Sequence, residues 1–118
     1  MTTKAAAFHS WASSFGIPAY SSASVPEDAT LPYITYDFGA ASFGEQFACT
    51  LNVWTGGSDA EANAKATAIC DSLPAYARCD GGALRLEAGS PAWQAVPDES
   101  DVKRRYINVD VENMTNTL

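Results

Sequence analysis

Along residues 45–74 the spacing of apolar positions changes once, and that change locates the centre of the fold. From Glu45 to Trp54 the chain alternates: Phe47, Cys49, Leu51 and Val53 project from one face, and Gln46, Ala48, Thr50 and Asn52 from the other, the period of a strand with one buried side. Gly56-Gly57 then turns the chain, and a helix opens at Ser58 and stops at Pro74. Ser58 and Glu61 have capping-box spacing, so hydroxyl and carboxylate can each satisfy an orphan amide of the first turn. Ala62, Ala66, Ile69, Cys70 and Leu73 form one apolar stripe at helical spacing.

The same reading extends to both ends. Residues 3–15 predict a helix with Phe8, Trp11, Ala12 and Phe15 on one face and Gly16 as its stop. Ile17-Pro18-Ala19-Tyr20 leaves it extended, and Ser21 to Leu31 reads as a polar loop. Tyr33 to Phe38 predicts a strand with Ile34, Tyr36 and Phe38 inward, paired as an antiparallel hairpin with the strand that follows. Beyond the second helix, Arg78 to Gly82 reads as a turn, and Ala83 to Glu87 as a short strand broken by Gly89-Ser90-Pro91. Ala92 to Val96 reads as an irregular edge segment, and Pro97 to Asp101 as a turn. Lys103 to Glu112 is the last strand, with Arg105, Ile107, Val109 and Val111 on one face and Arg104, Tyr106, Asn108 and Asp110 on the other; Asn113 to Leu118 reads as a frayed tail. The expected fold is a single α+β domain over residues 1–118. Its order is α-β-β-α-β-β, a mostly antiparallel four-stranded sheet covered on one face by two helices.

Composition narrows the function classes. A hydrophobic content of 47% against 18% charged residues describes a folded chain. The net charge of −7 repels phosphate, which argues against passive nucleic-acid binding. No segment has the length of a membrane span, and Met1-Thr2-Thr3-Lys4-Ala5 lacks the apolar core of a signal peptide, so a cytoplasmic product is expected. Cys49 and Cys70 lie on apolar faces, while Cys79 falls in a turn where exposure is expected. A Cys70–Cys79 bridge is conceivable, but a cytosolic product argues against it, and a single histidine far from these thiols argues against zinc.

Candidate chemistry is sparse. His9 lies in the first helix without a nucleophile on a strained turn beside it, and reads as a helix-surface imidazole. Gly56-Gly57-Ser58 resembles an anion nest only in part, because Asp59 and Glu61 already place negative charge in that turn and no P-loop lysine follows. No catalytic residue, cofactor site or metal site is assigned. The remaining signals are for a partner: Asp98, Glu99 and Asp101 run directly into Lys103, Arg104 and Arg105, a split of charge that suits a head-to-tail contact. The reading beside it is a solvated turn that neutralises itself. Phe43, in the loop between the first two strands, and Trp93, in the irregular segment, are candidate interface anchors or lids over the sheet.

With its segments in this order, the chain resembles the small tail-terminator or tail-completion proteins of long-tailed bacteriophages. The resemblance rests on the N-terminal helix, the extended run from Pro26 to Tyr36, the strand from Glu45 to Trp54, Gly56-Gly57-Ser58 with its alanine-rich helix to Leu73, and a long final strand. It is a likeness of architecture and diffuse pattern over most of the chain. It implies a structural virion protein without enzyme activity: a ring, usually of six subunits, capping the tail tube and joining it to the head. The implied partners are copies of itself, the tail tube protein and the head–tail connector, with DNA only passing through the channel. Assembly in the host cytoplasm and residence in the virion are implied too. Few basic residues and the irregular Ala92–Val96 segment depart from that pattern. The alternatives are another neck component, such as a head-completion or connector protein, and a small α+β ligand-binding domain.

Overall fold

The computed structural model describes residues 3–38, 46–96 and 102–115. Helix α1 (Lys4–Ala12) starts where Thr3 Oγ1 accepts the Ala6 amide, continues as a 3-10 turn (Ser13–Phe15), and ends at Gly16, whose φ of 85° is a left-handed cap that favours glycine. There follow β1 (Ala19–Ser21), β2 (Tyr33–Asp37) and β3 (Gln46–Thr55). Next come α2 (Asp59–Asp71), β4 (Ala75–Cys79), β5 (Gly82–Val96) and β6 (Lys103–Thr115). All six strands lie in one sheet of order β1-β2-β3-β6-β5-β4, with β1 parallel to β2 and the other pairs antiparallel. Helix α1 touches both β1 and β4, the two edge strands, so the sheet curls around it as a half-barrel; α2 lies over β3, β5 and β6.

The inner face is the one the alternation predicts. Ile34, Leu51, Val53, Ile107, Val109 and Val111 are fully buried against Phe8 of α1 and Ala66 and Ile69 of α2. The Ser58 hydroxyl accepts the Glu61 amide at 3.2 Å, which caps α2 where the sequence placed its start.

The four-stranded expectation is corrected: the sheet is mixed and has six strands, and the order α-β-β-α-β-β omits β1 and β4. Both are edges with weak hydrophobic signals. Strand β1 is three residues long and pairs only with β2. Strand β4 turns Ala77 inward, where α1 leaves room for a methyl group, so its alternation lacks the branched residues that mark β2 and β3. Cys79 pairs with Gly82 across Asp80-Gly81, so the expected turn is a tight hairpin between two strands.

The Gly89-Ser90-Pro91 break is corrected as well. Strand β5 runs through it as a bulge: between Ala88 and Trp93 it takes five steps while β6 takes two, from Val109 to Ile107. The Asn108 amide nitrogen donates to the Pro91 carbonyl at 2.9 Å and holds the bulge shut. Its odd step count reverses the alternation, which is why Trp93 pairs opposite Ile107 on the inner face. Nor is the start of the tail frayed: β6 continues to Thr115, paired with Gly82, and Asn113 is 1% exposed.

Gly89 is the residue the bulge depends on, because a Cβ there would lie 2.6 Å from the Asn108 Cβ and 3.1 Å from its backbone. Gly89→Ala is therefore expected to lower unfolding free energy by about 1–3 kcal/mol, the usual cost of overpacking. Urea denaturation checks it, and unchanged stability would mean that β5 and β6 separate there freely.

Candidate interaction site

Both helices pack on one face of the sheet, no described element covers the other, and the side chains on this bare face form two zones. At the end where β2 starts and β3 finishes, register brings Tyr33, Trp54 and Arg104 into one row and Thr35, Asn52 and Tyr106 into the next. Tyr20 meets Tyr33 edge-on at 5.9 Å, Tyr33 stacks on Trp54 at 6.5 Å, and the Arg104 guanidinium lies 4.8 Å from the Trp54 ring centre. Beneath them the Trp54 indole donates to Thr35 Oγ1 at 2.9 Å, and Arg104 Nε donates to Asn52 Oδ1 at 2.7 Å. These bonds let Thr35 and Asn52 be buried on an outward face, at 7% and 8% exposure. At the opposite end the face is polar: Asp37 accepts from Ser22 and Thr50, and Arg85 pairs with Glu87 and Glu112.

Those residues proposed from sequence that the structure describes separate in space. Phe43, Asp98, Glu99 and Asp101 lie outside the described residues. Lys103 is half-buried at the start of β6. Arg104 belongs to the aromatic row of the bare face, whereas Arg105, one residue on, points the other way and is 5% exposed. Arg105 donates to Asn63 Oδ1 at 2.9 Å and to Asp59 Oδ1 at 3.0 Å, tying the first turns of α2 to β6, and its guanidinium lies 5.9 Å from the Trp93 ring centre. Trp93 packs against the core. The contiguous basic run is thus two devices, one outward and one internal.

The remaining candidates brace the fold. His9 Nδ1 lies 2.8 Å from the Tyr36 hydroxyl and Nε2 lies 3.4 Å from Ser13 Oγ, so the imidazole links α1 to β2. Burial pushes the Tyr36 phenol above its ordinary range, further from ionisation than a free tyrosine. Cys70 and Cys79 are half-buried free thiols, and burial followed by the Asp71 charge pushes the Cys70 thiol up, away from thiolate reactivity. Among the described residues no group of three or more His, Cys, Asp or Glu side chains could hold a metal ion, and no helix is long and apolar enough to cross a membrane.

A cavity of about 540 Å³ opens beside the first half of α2. Leu31 and Pro32 wall it on one side, Ala64 and Ala68 on the other, with Thr55 and the opposite charges of Glu61 and Lys65 also lining it. Thr55 is 4% exposed, and among the described residues its hydroxyl has no hydrogen-bond partner. The charged run at 98–105 drew the sequence reading away from this corner. The cavity's only signal along the chain was small residues, Gly56, Gly57, Ala64 and Ala68, which also read as a turn and a helix surface.

Comparison of the sequence with protein-family models and with characterised proteins gives no match. The functional reading therefore rests on the geometry and on the resemblance of segment order.

Two substitution sets check this account. Arg105→Ala is expected to cost about 2–3 kcal/mol through lost charge-assisted hydrogen bonds, and Arg104→Ala about 1 kcal/mol through the lost cation–π contact; equal losses in chemical denaturation would contradict the division of roles. Thr55→Val, which removes an orphaned hydroxyl at nearly constant shape, is expected to raise stability by about 1 kcal/mol. A thermal melt showing destabilisation instead would mean that the hydroxyl has a partner.

Proposed function

We propose that this chain is a structural protein of a long-tailed bacteriophage particle, a tail terminator that closes into a ring on the tail tube and joins it to the head. The observation that carries the reading is the bare sheet face with its ordered strip of Tyr20, Tyr33, Trp54, Arg104 and Tyr106. Tyrosine, tryptophan and arginine are the residues that dominate protein interfaces, and a strip already held by hydrogen bonds loses little entropy on docking. The likeness of segment order supplies the class of partner: further copies, the tail tube and the head–tail connector.

A ring requires a heterologous contact, in which one patch meets a different patch on the next subunit. The molecule is a plate, 44 × 30 × 19 Å, with different chemistry on its two faces, which suits such a contact. Six copies at −7 each would place about −42 around a channel, so DNA would pass without adhering. In this role the chain works by docking in the virion, after assembly in the host cytoplasm, and catalyses nothing.

Electron microscopy of the purified protein, alone and with tail tubes, tests the proposal. Rings with a central hole, free or seated on tube ends, are expected, and phage lacking the protein should grow overlong tails. Intact free tails beside leaking heads would instead assign a head-completion role in the same neck. A subunit that stays monomeric even with tubes present would overturn the ring.

A further inference from the structure

The cavity beside α2 is lined mainly by apolar atoms, yet two opposite charges stand in its wall. Glu61, Ala64, Lys65 and Ala68 share one face of the helix, and Leu31 and Pro32 face them across the hole. The volume of about 540 Å³ lies within the range of ligand sites, and the two alanines keep the helix side of it open.

Glu61 and Lys65 have the spacing at which a helix ordinarily pairs opposite charges, and here they do not pair. The Glu61 carboxylate folds back over Gly57, so close that a Cβ there would collide with it, and no described residue donates a hydrogen bond to it. The Lys65 ammonium turns instead to the Phe15 carbonyl, to which it donates at 3.3 Å, leaving two of its three protons for other acceptors. A negative and a positive head thus stand one turn apart in the wall of an apolar hole, each short of partners.

We infer that this cavity takes an extended segment of another protein, one with an apolar side chain between a basic and an acidic one. Spacing selects it. The Cα atoms of Glu61 and Lys65 are separated by about 6 Å along the helix, and alternate residues of an extended chain lie about 6.6 Å apart on one side. Charged side chains at positions i and i+2 of such a segment therefore reach Glu61 and Lys65 together, and the residue between them points the opposite way, onto Leu31 and Pro32. A second copy does not offer this pattern among the described residues. In Arg78-Cys79-Asp80 and Arg85-Leu86-Glu87 the central side chain packs against its own core. The inference does not rest on the ring reading.

Titration of end-blocked pentapeptides into isotopically labelled protein, followed by amide NMR shifts, tests it. Acetyl-Ala-Lys-Leu-Glu-Ala-amide is expected to bind with a Kd of about 1 mM or tighter, shifting the amides of Gly57, Ala64, Lys65 and Ala68. Its two like-charged versions, with lysine or with glutamate at both charged positions, should bind about two- to fivefold more weakly, the scale of one exposed ion pair. Ala64→Trp, which fills the hole from an exposed helix position, should abolish the shifts, and Glu61→Lys should transfer the preference to the peptide with two glutamates. Circular dichroism verifies that both variants fold. Equal affinity for all three peptides, shifts confined to other parts of the molecule, or none at millimolar peptide would overturn the inference. So would free leucine binding as tightly as the mixed-charge peptide, which would make the cavity a small-molecule site. Self-association that Ala64→Trp abolishes would overturn it too, by making the occupant a second copy.

Discussion

The pairing of β3 with β6 in one register, from Gln46 opposite Glu112 to Thr55 opposite Lys103, is the constraint on which the rest of the structure depends. Strand alternation means that a slip of one residue would turn every inward side chain of one strand outward. Apolar burial alone would resist this, since Leu51, Val53, Ile107 and Val109 would all meet water. The adjacent arginines add a polar lock. Arg105 points inward to Asp59 and Asn63, and Arg104 points outward to Asn52 and the Trp54 ring. A slip of β6 would bury Arg104 away from its acceptors and strip Arg105 of its carboxylate, leaving a buried cation unpaired.

That register also explains how the two faces diverge in chemistry. With the inner side filled by α1 and α2, the outer side must satisfy its own polar groups, and it does so through short bonds such as Trp54 to Thr35 and Arg104 to Asn52. The outcome is an aromatic strip in which Trp54 is bonded to Thr35 beneath it and stacks on Tyr33 beside it. The curl of the sheet has a related cause. Helix α1 touches both edge strands, so the small inward side chains of β4 and the shortness of β1 let the sheet bend around one helix.

The parts legible in the sequence were those where burial imposes an unbroken period. Strand β3, helix α2 with its Ser58 cap, and the two faces of β6 all follow from spacing, because apolar residues recur at most of the positions that face the core. Strands β1 and β4 were not legible, since three residues show no period and Ala75-Tyr76-Ala77 offers little contrast. The bulge in β5 was hidden for a different reason. Glycine and proline ordinarily end a strand, and only the long-range bond from Asn108 to the Pro91 carbonyl holds this one together. Its parity change misplaced Trp93, and adjacency along the chain merged Arg104 and Arg105 into one patch that the pleat divides. The cavity assembles from three segments, and no single window of sequence contains it.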